Sequence, residues 1–298
     1  MAVDIVSVTA GGGDLAESLF WDPVGHLLYW IDAWSASVLS LDIRTRMQTR
    51  RDFGPQLGGL PIGSIARHSA GGLVSGVKGG FYHLRPADGS ATLIAQVEGD
   101  RPASNRLNDG KCDRAGRFWC ASANTDHRTP SGALWRLMGG HVPSLMHDGL
   151  VVGNGIAWSP DDRVLYLADT FAGTVWRYDF DLATGEIVNP RVFISSGAMQ
   201  GDVDGATVDS EGCYWAALFR GGAIAQFDPE GRLMRRIALP VSDPTICAFG
   251  GPDWDILYVA SARRFLSETQ RRAQPLAGGI LAVHGLGSRG LPEPAFAF

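Results

Sequence analysis

Six polar residues stand at near-regular intervals along this chain, each at the head of a short, mostly apolar run: Glu17, Ser64, Asn108, Asn154, Asp204 and Thr245. The intervals between them are 47, 44, 46, 50 and 41 residues. Two carboxylates, two carboxamides and two hydroxyls gathered at one point make an all-oxygen donor set. Hard divalent ions such as Ca²⁺, Mg²⁺ or Mn²⁺ take such donors. Facing carboxylates repel, and one takes up a proton unless a cation offsets the charge. The same residues would equally line a water-filled polar channel, because Asn and Asp favour strand starts for local hydrogen bonding. The spacing alone leaves both readings open.

Bringing six such residues together requires six copies of one unit, and the chain contains them. Clear copies are SLFWDPVGHLLYWIDAWSASVLSLDIRTR from Ser18, GIAWSPDDRVLYLADTFAGTVWRYDFDLATG from Gly155, GATVDSEGCYWAALFRGGAIAQFDPEG from Gly205 and DGKCDRAGRFWCASANTDHRTPSGALWRL from Asp109. Weaker copies begin at Ser64 and Thr245. Each runs as short apolar or alternating strands separated by Asp-Pro, Arg-Ala-Gly, Ser-Glu-Gly or Pro-Glu-Gly turns, the pattern of an antiparallel meander. Four strands make one propeller blade, and a blade buries both faces only when stacked in a ring. The fold predicted is an all-β, six-bladed β-propeller of four-stranded antiparallel blades, one domain over residues 1–298. Inner strands line the central channel, so all six polar residues are expected to face one mouth. The strand near Val3–Thr9 has no unit of its own and is expected to pair into the last blade and close the ring. The only helical candidate is Arg263–Arg272, for which an irregular, solvated insertion is expected. Trp21 and Trp158 are expected to pack between blades.

Composition narrows the functional classes. Glycine supplies 39 of the 298 residues, and charged residues only 19%. That suits many tight turns and argues against a helical bundle. The net charge is −5, with no basic run, which excludes the basic stripe a nucleic-acid binder needs. Cys112, Cys120, Cys213 and Cys247 form no C-x-x-C pair and read as small buried hydrophobes in a reducing compartment. No run approaches the length of a membrane span, and the N-terminal MAVDIVSVTA does not read as a signal peptide. A soluble, cytoplasmic, monomeric protein acting on a small molecule is expected. The motifs G-x-S-x-G and H-E-x-x-H are absent. Asp202–Gly205 (DVDG) begins like an EF-hand, but strands flank it and no further ligands follow.

The segments LAESLFWD, RLNDGKCDRAGRFWCAS, GNGIAWSPD, DVDGATVDSEGCYWAA, CAFGGPDWDILYVASAR and GLPEPAF occur in this order. Together they resemble the senescence-marker/gluconolactonase/regucalcin-like family of six-bladed propellers, over nearly the whole chain. The resemblance implies a metal held by Glu17, Asn154 and Asp204. It implies Arg106 and Asn108 on the substrate, with Asn108 beside the metal. Where the family often carries a substrate-binding Glu, this chain has Ala123-Asn124-Thr125-Asp126, so Asp126 is the candidate replacement. His127, beside it, is expected to be an ordinary loop histidine. The activity implied is hydrolysis of sugar aldonolactones, with a divalent ion (Ca, Mn, Mg, Zn or Fe(II)) as Lewis acid and Asp204 as general base. The alternatives are a calcium-binding regulatory protein with little catalysis, a protein-interaction propeller of the WD-repeat type, and phosphotriester hydrolysis on the same site.

Overall fold

The structure is a computed structural model and describes residues 2–195 and 200–298. The described strands form six four-stranded antiparallel sheets arranged as blades of a propeller. The inner strands of blades 1 to 6 are Ala16–Asp22, Ile62–Arg67, Asn105–Cys112, Gly153–Trp158, Asp202–Val208 and Pro244–Gly250. Burial falls from the inner to the outer strand. Ile62–Arg67 is almost wholly buried, whereas the outermost strand of blade 1, Gln48–Asp52, is exposed at every position.

Six apolar clusters hold the ring together, one at each seam between neighbouring blades. Trp21 stacks on Tyr258 across the seam of blades 1 and 6, and Trp158 meets Trp119 edge-on across the seam of blades 3 and 4. Both tryptophans pack between blades, as expected from their place on apolar runs. The ring is closed by Asp4–Ser7, which pairs antiparallel with Ile280–His284 in blade 6. Blade 6 is thus built from both ends of the chain.

The insertion after the second strand of blade 6 differs from expectation. It contains a six-residue helix, Glu268–Ala273, opened by a capping box in which Ser267 and Gln270 exchange hydrogen bonds. A helix this short shows no apolar period, and the S-x-x-Q cap was its one legible signal. The four cysteines are free and buried. No described helix is long and apolar enough to cross a membrane.

Candidate functional site

Every inner strand slips register against its neighbour at its polar ring residue. The breaks fall at Glu17/Phe20, Ile62/Ser64, Leu107/Gly110, Asn154/Ala157, Val203/Ala206 and Pro244/Ile246. A β-bulge re-aims the side chain it carries. In blades 1, 3, 4 and 5 it sets two residues opposite one, and Glu17, Asn108, Asn154 and Asp204 line a cavity of about 440 Å³ at the mouth. The other two ring residues do not reach it. Ser64 lies against Cys120 Sγ at 3.3 Å, and the Thr245 hydroxyl donates to the Ala16 carbonyl at 2.5 Å. Short hydroxyls satisfied within a seam have no reason to point into the channel, so the expected ring of six is a ring of four.

The bulges are pinned from several sides. Ser18, at φ 51°, accepts a hydrogen bond from the Ile65 amide and donates to its carbonyl, tying the backbone beside Glu17 to blade 2. Gly155, beside Asn154, sits at φ 58°, and a Cβ there would collide with the Tyr214 hydroxyl, which donates to the Gly155 carbonyl. Asp32 accepts from the Leu15 amide, and Asp169 from the amides of Val151 and Val152. These two aspartates close the second strands of blades 1 and 4 and fix the approach to Glu17 and Asn154. The Asn154 amide is oriented in turn, since its Nδ2 donates to Thr170 Oγ1 at 2.7 Å and its Oδ1 accepts from Asn108 Nδ2 at 2.7 Å.

Electrostatically the site is unbalanced. Burial, then the charge of Asp109, pushes Glu17 up to about 8, with Arg106 pulling the other way. Burial and the neighbouring Glu17 push Asp204 well above the usual carboxylate range. Asp109 was missed as a member of this group. It accepts from the Ile156 amide at 3.0 Å, and burial raises it as well, against the pull of Lys111. Burial also draws Arg106 below its ordinary value, opposed by Glu17 and Asp204, and its one described hydrogen bond goes to the Leu107 carbonyl at 3.3 Å.

Among the described residues no three His, Cys, Asp or Glu side chains are placed to hold a metal ion. The set here is instead two carboxylates and a carboxamide oxygen, Glu17, Asp204 and Asn154. It is all hard oxygen and holds two carboxyl groups that a cation would bring to their charged form, so it fits a hard divalent cation.

Asp126 and His127 exchange their expected places. The Asp126 carboxylate is exposed and accepts from the Arg128 amide, the Thr129 amide and the Thr129 hydroxyl within its own loop. It does not line the cavity, whereas His127 does. Burial, then Arg106, holds the His127 imidazole below its usual range, and its ring lies 5.1 Å from Phe171. A residue whose carboxylate builds the turn cannot also reach inward.

At the other end of the channel the charges are matched. Lys111 Nζ donates to the Ala206 carbonyl at 2.7 Å and to Glu293 Oε1 at 3.3 Å. Glu293 belongs to the C-terminal tail, which crosses the ring on hydrogen bonds from Arg67 to its carbonyl and from the Phe296 amide to Arg67.

Residues 15–263 match the model of the SMP-30/Gluconolactonase/LRE-like region. The chain belongs to that family. The match spans every ring residue and ends where the insertion of blade 6 begins. Among its relatives is regucalcin of Xenopus laevis, 32% identical over 302 residues and covering 99% of each chain. Among solved structures it is similar to a calcium-binding protein, regucalcin, from Agrobacterium tumefaciens, with TM-score 0.89, 26% identity and 98% and 96% of the two chains covered. It is similar also to a luciferin-regenerating enzyme, with TM-score 0.90, 25% identity and full coverage of both chains. In this SMP-30/gluconolactonase chain the residues of the cavity come from all blades but the second.

Proposed function

We propose that this member of the family is a divalent-metal-dependent lactonase that opens sugar aldonolactones to aldonic acids. The observation that carries the reading is the pair Glu17 and Asp204. Both are raised by burial and by neighbouring negative charge, and both line, with Asn154, one cavity sized for a small molecule. In this reading Glu17, Asn154 and Asp204 hold the cation, and calcium is the ion suggested by the names of the regucalcin relatives. When bound, the ion supplies Lewis-acid polarisation of the lactone carbonyl.

The protein's own groups do the rest. Asp204 takes the proton of the attacking water, a task suited to a carboxylate whose basicity is raised by its surroundings. Arg106 presents a fork of donors to the substrate oxygens, and its burial beside Trp34 keeps that fork in place. Asn108 holds Asn154 and leaves its own oxygen free for a substrate hydroxyl. The surrounding side chains exclude water and so strengthen each of these contacts. The protein acts as a cytoplasmic monomer on a small molecule, with no nucleic acid or membrane involved.

The test is proton release from a panel of aldonolactones, using chelated protein reconstituted with each divalent ion. Asp204→Ala is expected to abolish ion-stimulated turnover, a loss of at least about a hundredfold, and to remove metal binding measured by calorimetry. Near-normal turnover in that variant, or no turnover with any ion by the wild type, overturns the assignment.

A further inference from the structure

The cavity holds one carboxylate to which the lactonase reading gives no task. Asp243 immediately precedes the inner strand of blade 6, Pro244–Gly250, and lines the mouth together with Arg106 of blade 3. In a ring of six blades the third lies opposite the sixth, so Arg106 and Asp243 stand across the cavity from each other, with Glu17, Asn154 and Asp204 on blades between them. Thr245, the ring residue of blade 6, is turned into its seam. Asp243 is therefore the charged group that the entry of this strand presents to the channel.

The segment is held from three sides. Gln274 Oε1, from the insertion, accepts from the Ser242 amide at 2.7 Å, the Gly222 amide donates to the Ser242 carbonyl at 2.9 Å, and the Ala262 amide donates to the Asp243 carbonyl at 2.8 Å. A group fixed in this way loses little freedom when a ligand binds. Asp243 is buried, and burial raises its carboxyl, eased by the Ser242 hydroxyl and by Arg220. The Ser242 hydroxyl itself makes no hydrogen bond of ordinary geometry to any described residue, so a donor stands in reserve behind the carboxylate.

What such a group recognises follows from its chemistry. An ionised carboxylate only accepts hydrogen bonds, and its two oxygens can take hydroxyls on adjacent carbons as a pair. An ammonium group in the ligand would be opposed by Arg106 and Arg220, which line the same cavity. A neutral ligand with paired hydroxyls at the end away from Arg106 meets neither objection. The γ-lactone of a hexonic acid carries a vicinal diol outside its ring, whereas that of a pentonic acid carries a single hydroxyl there.

We propose that Asp243 sets substrate specificity by accepting both hydroxyls of an exocyclic vicinal diol, with the lactone group toward Arg106 and Asn108, so that γ-lactones of hexonic acids are preferred to those of pentonic acids. This rests on the lactonase reading and names the substrate class within it.

D-Galactono-γ-lactone and L-arabinono-γ-lactone have the same ring and the same ring configuration, and differ by the one carbon that makes the tail a diol. Both are assayed by proton release on the full-length, metal-loaded protein and on Asp243→Asn and Asp243→Ala. The wild type should prefer the galactonolactone by about tenfold or more in kcat/KM, with the difference in KM, as expected for a hydrogen bond to a charged group. Asp243→Ala should bring that preference to within about twofold, and Asp243→Asn, which keeps the shape and removes the charge, should abolish most of it. No preference in the wild type, or variants that lose activity on both lactones equally and keep the preference, overturns the proposal and leaves the lactonase reading standing. So does turnover of another aldonolactone but of neither of these. Turnover of no aldonolactone overturns both.

Discussion

Glu17→Gln separates the cost of the site from its use. In the metal-free protein Glu17 titrates at about 8 instead of its ordinary 4.5, because burial and Asp109 oppose its charge. The unfolded chain loses this proton near 4.5 while the folded protein keeps it until about 8. Between those values the folded state holds more protons, so stability falls as pH rises and levels off above the upper one. The full shift corresponds to a ceiling of about 5 kcal/mol. Glutamine keeps the shape and removes the charge. It also relieves Asp204, for which Glu17 is the foremost charged neighbour. With roughly 2 °C per kcal/mol for a chain of this size, the chelated variant should melt up to about 10 °C above wild type at pH 9. At pH 5 the two should nearly coincide. The assay is thermal unfolding in chelator from pH 5 to 9, repeated with saturating calcium. With the ion present the gap should narrow, because an ion at about a hundred times its Kd adds about 2.7 kcal/mol, roughly half the ceiling above, to a protein that binds it and nothing to one that does not. Parallel curves for wild type and variant across the pH range in chelator would refute the claim that Glu17 is held in the fold at a cost.

Three further outcomes follow from the geometry. Gly155→Ala should cost about 2–4 kcal/mol by denaturant unfolding, since it adds a Cβ at positive φ and against Tyr214, and Tyr214→Phe should recover part of that loss in the double variant. Asp126→Ala and His127→Ala should each raise KM for a lactone a few-fold, and together no more than His127→Ala alone, because Asp126 works only by holding the His127 loop; additive effects would restore Asp126 as a direct contact. Glu293→Gln should lower stability by about 1–2 kcal/mol and leave kcat unchanged, as its partner Lys111 lies at the far end of the channel.

How much of this was legible in the sequence depends on the range of the interaction that decides it. The blades were legible because strand, turn and strand recur about every 46 residues and need only neighbours. Glu17, Asn154 and Asp204 were legible for the same reason, with one polar residue before each apolar run. Ser64 and Thr245 share that local signal and differ only in what the adjacent blade offers them, Cys120 in one case and the Ala16 carbonyl in the other. Nothing within a few residues distinguishes them. Asp126 is the opposite case. Its short-range pattern, Asp followed by Arg and Thr, favours a side chain that caps its own turn, and that local bonding prevailed over the family's substrate position. The ion pair of Lys111 with Glu293 joins residues 182 apart, so no periodicity announces it.

The two ends of the channel make the functional argument sharper than either does alone. At the bottom a buried cation, Lys111, meets a carboxylate delivered by the tail, so the chain completes its own charge balance there. At the mouth Asp204 is buried and Glu17 partly so, Asp109 opposes the charge of both, Glu17 opposes that of Asp204, and Arg106 is the one cation set against these carboxylates. Folding selects against unpaired buried charge unless something is gained by keeping it. Two neutral side chains of similar size would remove the repulsion at no cost to the blades, whose seams are filled independently of the mouth. The bulges that aim both carboxylates at one cavity are themselves departures from regular pairing, pinned by Ser18, Asp32 and Asp169. A chain that neutralises one end of its channel from within and gathers carboxyl groups at the other supports the proposal that the mouth receives a cation.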